Sequence, residues 1–282
     1  MILNTQFTLH QISCSEVILL TGATDGIGLE TAKKLASMGH TLLLHGRNET
    51  KLNDIVKNLS ALPETGIIES YICDLSNLND VRSFAHQVMK RHQKIDVIIN
   101  NAGIYKTANT ITSEGYDIRF VVNTLAPYLL TQMLSPLLDK EARVVNLSSA
   151  AQSPVNLLAM EGKQELSDGD AYAQSKLAIT MWSRYLGIMN KEMGPIFIAV
   201  NPGSFLASKM VKDAFGVAGN DINIGVSILV RAALDPDFSD ATGKYYVNDN
   251  AAFASQHPDA LDNKKCERIV KSIELTIDKL NL

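Results

Sequence analysis

The chain has 282 residues, 46% of them hydrophobic and 20% charged, and these ordinary values favour one large α/β domain over two independent ones. The formal net charge of -4 and the scattered Lys and Arg residues argue against the basic surface that binds nucleic acids. Three distant cysteines and scattered histidines argue against a disulfide framework and a metal site, and no apolar run approaches the roughly 20 residues that span a bilayer.

Residues 1–15 are predicted to form an extension that lacks the basic start and apolar run of a signal peptide, so we expect a cytoplasmic protein with reduced thiols. After it, short apolar runs alternate with longer segments of helical periodicity. Strands are predicted over 17–21, 41–45, 67–73, 95–100, 143–147 and 196–201. Helices are predicted over 27–37, 50–62, 79–92, 114–138, 171–193 and, at the C-terminus, 256–282.

Most of the predicted strands carry apolar residues at consecutive positions, as in the sequence TLLL. Strands of this kind are buried on both faces and form parallel sheets. The alternation of strands and helices therefore predicts a single α/β domain with a Rossmann-like, doubly wound parallel sheet and three layers, α, β and α. In such sheets, ligands bind at the carboxyl ends of the strands.

A glycine-rich turn follows the first strand, with the sequence Thr21-Gly22-Ala23-Thr24-Asp25-Gly26-Ile27-Gly28. Glycines allow a phosphate to approach the backbone closely, and the N-terminus of the next helix offers free N–H groups and a positive dipole. The spacing Gly-x-x-x-Gly-x-Gly departs from the Gly-x-Gly-x-x-Gly fingerprint of dinucleotide-binding proteins. The alternative is a tight turn that binds no ligand.

Further motifs follow in a fixed order: Asp74, Asn100-Asn101-Ala102-Gly103, Asn123, Ser148-Ser149, Tyr172-Ala-Gln-Ser-Lys176 and Asn201-Pro202-Gly203. Together with the glycine turn, this series resembles the short-chain dehydrogenase/reductase family over roughly residues 16–250. Arg47, the stretch 119–131 and the sequence Gly243-Lys-Tyr-Tyr are most similar to its retinol-dehydrogenase-like branch. The resemblance implies an oxidoreductase with a nicotinamide cofactor. The implied cofactor contacts are Gly22, Thr24, Asp25, Gly26, Ile27, Gly28, Arg47, Asn48, Asp74, Leu75, Asn101, Ala102, Gly103, Tyr172, Lys176, Pro202, Gly203 and Ser208.

Tyr172 and Lys176 are four residues apart on a predicted helix and therefore share a face. A nearby ammonium group favours the phenolate and lowers the pKa of a tyrosine from its usual value of about 10. The pair can then act as a general acid in reduction and as a general base in oxidation. The resemblance implies that Lys176 also holds the nicotinamide ribose. The alternative is an ordinary Tyr/Lys pair on the surface.

A second hydrogen-bond donor would stabilise the negative charge that develops on the oxygen of a reacting carbonyl. Ser149, at the end of the fifth strand, is the candidate, with Ser148 as its rival. Asn123 stands four residues before Pro127, and a proline displaces the helix carbonyl four residues earlier. The freed carbonyl is one that can hold water, and the resemblance implies a proton relay through Asn123 and Lys176. A capping or turn-forming amide is the alternative for Asn123.

The second strand ends in Gly46-Arg47-Asn48, without the carboxylate that bonds the adenosine ribose in NAD-dependent proteins. The planar guanidinium of Arg47 suits a 2′-phosphate. We therefore expect NADP(H) to be preferred, with NAD(H) possible. Asp25 argues for a modest preference, because many NADP-dependent relatives have a basic residue there.

Two apolar segments predict an apolar carbonyl or alcohol of medium size as the substrate. The first spans 150–171, and the second spans 204–225 and contains Gly216 and Gly219 as hinges for a predicted substrate lid. The apolar residues of the second are Phe205, Leu206, Met210, Val211, Phe215 and Val217. Ordinary loop packing is the alternative.

The predicted helix 171–193 is apolar around most of its circumference, which predicts that a second subunit covers it in a homodimer or homotetramer. Packing within the chain is the alternative. For the whole protein, the rival functions are a non-catalytic NAD(P)-binding regulatory or redox-sensing protein and a methyltransferase. Neither explains the combination of Asn123, Ser149, Tyr172 and Lys176.

Overall fold

One sheet of eight strands forms the centre of the computed structural model, which describes residues 15–204, 206–207, 210–212, 216 and 218–280. The strands are β1 (Val17–Leu20), β2 (Thr41–Gly46), β3 (Ile68–Ile72), β4 (Val97–Asn100), β5 (Arg143–Leu147), β6 (Ile196–Asn201), β7 (Lys244–Val247) and β8 (Ala252–Ala254). Their order across the sheet is β3-β2-β1-β4-β5-β6-β7-β8. All neighbours are parallel except β7 and β8. The order changes direction between β1 and β4, where doubly wound sheets bind their ligands.

Helices connect these strands. They are α1 (Gly26–Ala36), α2 (Glu49–Ser60), α3 (Leu78–Arg91), α4 (Ile118–Phe120), α5 (Ala126–Leu134), α6 (Leu157–Met160), α7 (Asp168–Met189), α8 (Ile222–Leu234), α9 (Pro258–Leu261) and α10 (Asn263–Lys279). A π-helical turn, Val121–Leu125, joins α4 to α5. Short 3₁₀ turns occupy Ser135–Leu137, Pro236–Phe238 and Asn248–Asn250.

Both faces of the sheet are buried, which confirms the predicted three-layer, doubly wound architecture. Successive strand residues point to opposite cores: Leu19 and Leu43 belong to one, Leu20 and Leu44 to the other. The first core contains side chains of α3, α5, α7 and α10, and the second contains side chains of α1, α2 and α8. Because the central strands β1, β2, β4, β5 and β6 pack against helices on both sides, their apolar residues occur at consecutive positions rather than alternating with polar ones.

Most boundaries agree with the predictions to within a few residues, and three predicted segments differ in a way that bears on the site. The predicted helix 114–138 begins only at Ile118, because Asp117 accepts a hydrogen bond from the Arg119 amide and caps the first turn. The predicted C-terminal helix consists of α9 and α10, separated by Asp262, which caps α10. Residues 222–225, assigned to the lid, form the first turn of α8, and Phe205, Phe215 and Val217 of the predicted lid lie outside the described residues, as does nearly all of the extension 1–15.

The apolar circumference of α7 is covered within the same chain, so it does not support the predicted subunit interface. Trp182 of α7 is fully buried, and it shares one core with Ile273 of α10. The Tyr128 hydroxyl of α5 donates a 2.7 Å hydrogen bond to Glu274 of α10, which fixes this C-terminal helix against the domain. Among the described residues, no helix is both long and apolar enough to cross a membrane.

Candidate active site

The glycine turn after β1 is built so that its backbone can approach a ligand. Gly22 and Gly26 have φ values of 70° and 52°, in the left-handed region that favours glycine. A Cβ on Gly28 would lie 2.1 Å from the Gly22 carbonyl oxygen, so no other residue fits there without moving the turn. Asp25 caps α1 by accepting a 2.7 Å hydrogen bond from the Gly26 amide. The first N–H groups of α1 therefore follow a turn whose glycines carry no side chain to keep a ligand away from the backbone.

His45, at the end of β2, holds this turn in place. Its Nδ1 accepts a hydrogen bond from the Gly22 amide at 3.1 Å, and its Nε2 lies 3.0 Å from the Cys73 carbonyl oxygen. The two contacts require a neutral ring with its proton on Nε2, and burial lowers the pKa of His45 to about 4. Sequence reasoning assigned no role to His45, whose only signal was its place at the carboxyl end of a strand.

Asn101 joins the glycine turn to the loop after β4. Its Nδ2 donates to the Thr21 carbonyl oxygen at 2.8 Å and to the Gly22 carbonyl oxygen at 3.2 Å. The Thr21 hydroxyl in turn accepts hydrogen bonds from the amides of Asn101 and Ala102, both at 3.1 Å. Two of the motifs that sequence analysis found separately are therefore one hydrogen-bonded unit.

Arg47 and Lys51 border the same cavity beyond the end of β2, and both side chains are exposed. Asn48 caps α2, since its Oδ1 accepts from the Lys51 amide at 2.8 Å. The Lys51 ammonium lies 3.2 Å from a carboxylate oxygen of Asp25 and offsets the negative charge there. Sequence analysis missed Lys51 because it is one of several lysines on an exposed helix face.

A cavity of about 550 Å³ extends from these residues to Tyr172. Sixteen of the predicted site residues line it: Gly22, Thr24, Asp25, Gly26, Ile27, Gly28, Arg47, Asn48, Asp74, Leu75, Asn101, Ala102, Gly103, Tyr172, Lys176 and Pro202. Lining residues that were not predicted include His45, Lys51, Ile104, Tyr105, Lys106 and Val122, whereas Met210 belongs to the predicted apolar segment 204–225. Asn123, Ser149 and Gly203 lie outside the lining, and Ser208 lies outside the described residues.

Lys176 is buried at the inner end of the cavity. Its Nζ donates a 2.8 Å hydrogen bond to the Leu147 carbonyl oxygen and lies 5.7 Å from the centre of the Tyr172 ring. Burial lowers the pKa of Lys176 to about 8 and raises the pKa of the Tyr172 phenol, while a hydrogen bond from Ser149 to Tyr172 lowers it. A proton therefore leaves this lysine more easily than it leaves one on the surface.

The two serines after β5 have different environments. The Ser148 hydroxyl lines the cavity but is engaged by the Thr180 hydroxyl at 2.7 Å and the Lys176 carbonyl oxygen at 3.1 Å. The Ser149 hydroxyl instead interacts with Tyr172 and lowers the pKa of its phenol. The cavity lining alone favours Ser148, but a hydroxyl must be directed at the reacting oxygen, and the contact with Tyr172 favours Ser149.

Asn123 lies in the π-helical turn, where the Ala126 amide bonds to the Val121 carbonyl oxygen five residues earlier. Its side chain clamps the loop after β4, since Oδ1 accepts from the Ile104 amide at 2.9 Å and Nδ2 donates to the Ile104 carbonyl oxygen at 3.0 Å. Nδ2 also lies 3.0 Å from the Ser175 hydroxyl of α7. π-Turns occur often at functional sites, and the Asn123 amide here links the loop to the helix that carries Tyr172.

Gly103 leaves the space between two of the candidate residues open. A Cβ built on it would lie 3.3 Å from Lys176 Nζ and 3.4 Å from Asn123 Oδ1. Asn123 and Lys176 therefore approach the same small space, and Tyr172 lines the cavity beside it. Among the described residues there is no cluster of side chains suited to a metal ion. The arrangement can hold a long anionic ligand and transfer a proton at its inner end.

Residues 16–216 match the family model for short chain dehydrogenase. Over 267 residues the chain is 30% identical to retinol dehydrogenase 12 from Bos taurus, which covers 90% of this chain and 84% of the relative. It is 29% identical over 253 residues to polyprenol dehydrogenase from Homo sapiens, covering 83% and 77% respectively. A solved short-chain dehydrogenase from Escherichia coli complexed with NADPH has a TM-score of 0.67 and 26% identity, covering 83% of this chain and 96% of that one.

Proposed function

This chain belongs to the short-chain dehydrogenase family, in its retinol-dehydrogenase-like branch, and on that basis we propose that it interconverts a carbonyl and an alcohol with NADP(H). The observation that carries the proposal is the cavity that joins the glycine turn to Tyr172 and Lys176. One end suits the phosphates of a dinucleotide, and the other holds a tyrosine and a buried lysine suited to proton transfer.

The residues along the cavity fit a nicotinamide dinucleotide. Gly28 and its neighbours form a cradle that a Cβ would fill, and the N–H groups at the start of α1 face it. Asp74 and the loop 101–103 border the path that the adenosine would take. Lys176, which keeps two ammonium protons beyond its bond to Leu147, is placed to hold the ribose. When bound, the nicotinamide supplies or accepts the hydride.

The proton chemistry belongs to side chains of this protein. In reduction, Tyr172 donates its phenolic proton to the oxygen of the substrate, and in oxidation its phenolate takes the proton from the alcohol. The Ser149 hydroxyl donates to the same oxygen and stabilises the developing charge. The Lys176 ammonium favours the phenolate. Asn123 holds the loop and α7 together at the point where a proton would leave through Lys176.

The test is Tyr172→Phe, which removes the transferable proton and keeps the ring. Turnover with saturating NADPH should be lost, while the dissociation constant of NADPH, measured by fluorescence, stays within about twofold. Lys176→Ala should damage both turnover and binding. Substantial turnover by the Phe variant would show that Tyr172 is not the acid/base.

The preference for NADP(H) over NAD(H) rests on the charges beyond β2. Arg47 and Lys51 both border the space where a 2′-phosphate would lie, and Asp25 is paired with Lys51. This pairing reduces the repulsion that an unpaired Asp25 would exert on the phosphate. NADPH in the similar structure from Escherichia coli agrees with this choice of cofactor.

The substrate that we propose is an apolar carbonyl or alcohol. Ile104, Tyr105, Val122 and Met210 supply apolar surface to the cavity, and the Tyr105 ring lies 4.9 Å from the Tyr172 ring. The two relatives are named for retinol and polyprenol, which are both isoprenoid alcohols. A panel that includes retinal, nonanal and small charged keto acids, read with each cofactor by absorbance, tests this class. Faster turnover of the keto acids would contradict it.

Two further predictions concern the oligomeric state and the cellular location of the protein. A homodimer or homotetramer stays a prediction, although the buried surface of α7 does not support it, and light scattering at micromolar concentration measures the oligomeric state directly. A cytoplasmic location also stays a prediction, which fractionation of cells that express the protein would check.

A further inference from the structure

The main-chain carbonyl of Ser149 is held by two side chains that have no part in the proposed chemistry. The Tyr245 hydroxyl donates to it at 2.9 Å, and Gln152 Nε2 donates to it at 2.9 Å. The last bond between this strand end and β6 is from the Ser148 amide to the Val200 carbonyl oxygen at 2.8 Å. Ser149 therefore stands just beyond that bond, where its position depends on side chains.

Tyr245 reaches Ser149 from β7 across the intervening strand β6. It is in register with Ala199 of β6, which is in register with Asn146 of β5, so the three side chains lie on one face of the sheet. This is the α7 face, because Asn146 Nδ2 donates to the Ser183 hydroxyl of α7. The small side chain of Ala199 leaves room for the tyrosine ring to cross. Only 6% of Tyr245 is exposed, so its hydroxyl has little access to water.

Gln152 completes the hold on this turn. Besides its bond to the Ser149 carbonyl, its Nε2 lies 3.2 Å from the Ser148 hydroxyl. The Ser149 hydroxyl itself accepts from the Ala151 amide at 3.1 Å. With its carbonyl held by two donors and its hydroxyl oxygen accepting from the Ala151 amide, Ser149 is left with its hydroxyl proton to donate to Tyr172, whose pKa it lowers.

We propose that Tyr245 and Gln152 are positioning residues that aim the Ser149 hydroxyl at Tyr172 by clamping the Ser149 carbonyl. The inference rests on the proposed function, because it takes Tyr172 as the acid/base and Ser149 as its partner. Burial raises the pKa of Tyr245 to about 12, so its hydroxyl remains a donor throughout the pH range of an assay. A phenylalanine would keep the packing and lose only the bond.

Tyr246 supplies a matched control. It is the next residue of β7 and lies on the opposite face, where its ring is 5.2 Å from that of Phe238 and its hydroxyl approaches Arg231. Tyr246→Phe therefore removes one tyrosine hydroxyl from the same strand without reaching Ser149. Any effect that the two variants share comes from the fold, and an effect of Tyr245→Phe alone comes from the clamp.

The experiment uses the 282-residue chain with nonanal and NADPH, and with 1-nonanol and NADP⁺. We expect Tyr245→Phe to lower kcat about ten- to a hundredfold, since small misplacements at a reacting centre have effects of this size. KM and the dissociation constant of NADPH should stay within about twofold. In oxidation, the pH at which the rate rises should shift upward, because a displaced Ser149 no longer lowers the pKa of Tyr172. Tyr246→Phe should leave kcat and the pH profile unchanged.

Equal kcat values and equal pH profiles for the Tyr245 and Tyr246 variants would overturn the clamp. If Tyr245→Phe does not fold, Gln152→Leu tests the same carbonyl, and an unaltered pH profile in that variant has the same meaning. Tyr172→Phe, measured in parallel, keeps the two proposals apart. Turnover in that variant refutes the acid/base assignment, whereas a dead Tyr172 variant with an unperturbed Tyr245 variant refutes the clamp alone.

Discussion

Replacing Lys176 with methionine should remove a pH dependence from the stability of the protein. The ammonium group is buried, with 4% of the residue exposed, and its described hydrogen bond is to an uncharged carbonyl, that of Leu147. No ion pair to it is found among the described residues. The protein therefore carries most of the desolvation cost of this charge without compensation.

The magnitude follows from the pKa of Lys176, which burial lowers from an ordinary 10.5 to about 8. Between about pH 8 and pH 10.5 the unfolded chain binds a proton at this lysine that the folded protein does not. The free energy of unfolding therefore rises with pH in this window. Lowering a pKa by about 2.5 corresponds to about 3.4 kcal/mol, of which about 2.5 kcal/mol should be gained between pH 7 and pH 10.

The contribution of Lys176 to the free energy of unfolding can be measured by urea denaturation of the wild-type chain and of Lys176→Met, without cofactor, at about pH 7 and pH 10. The difference between the two proteins should change by about 2.5 kcal/mol across that range, since every other titrating group is common to both. Lys57→Met, which removes an exposed lysine of α2, should show no such change. A pH-independent difference between wild type and Lys176→Met would refute the reasoning.

Three further substitutions test separate parts of the structure. Arg47→Ala should lower the ratio of kcat/KM for NADPH over NADH about ten- to a hundredfold, and an unchanged ratio would contradict a contact with the 2′-phosphate. Gly28→Ala should abolish NADPH binding in a fluorescence titration, because the added Cβ would lie 2.1 Å from the Gly22 carbonyl oxygen. The control variant Gly169→Ala should bind NADPH normally, because its added Cβ would lie 3.7 Å from the Tyr105 hydroxyl. Arg119→Met should lower the free energy of unfolding by about 3–5 kcal/mol, because it leaves the buried carboxylate of Asp117 without its ion-pair partner. The control variant Arg231→Met, which breaks exposed ion pairs, should lower the free energy of unfolding by less than about 1 kcal/mol.

Most of the sheet could be predicted because the apolar runs of the strands and the helical periodicity of the segments between them indicate the same fold. The strands β5 and β6 have the predicted bounds, and the other predicted strands differ from the structure by a few residues. Consecutive apolar residues are diagnostic for strands with a helix on each side. β8 was missed because it has only three residues, and β7 was missed because its sequence, KYYV, is not a continuous apolar run. The helix α8 was missed because the apolar residues before it were assigned to a lid.

Residues of the candidate site could be predicted from the sequence where the backbone conformation accepts only one residue type. Gly22, Gly26 and Gly28 were found because only glycine tolerates such a turn. His45 and Lys51 were missed because their roles depend on residues brought near by folding: the Gly22 amide for His45 and the Asp25 carboxylate for Lys51. Spacing along the chain does not encode these contacts.

The residues that cover the helix α7 could not be predicted from its sequence. A pattern of apolar residues shows how much of a helix is buried, but it does not identify what covers the helix. Here part of the cover is α10, whose own apolar face includes Ile269 and Ile273 and faces the same core. The two helices are separated by more than seventy residues, so nothing in the α7 pattern could identify its partner. Because α7 also carries Tyr172 and Lys176, the C-terminal helix stabilises the element on which the proposed chemistry depends.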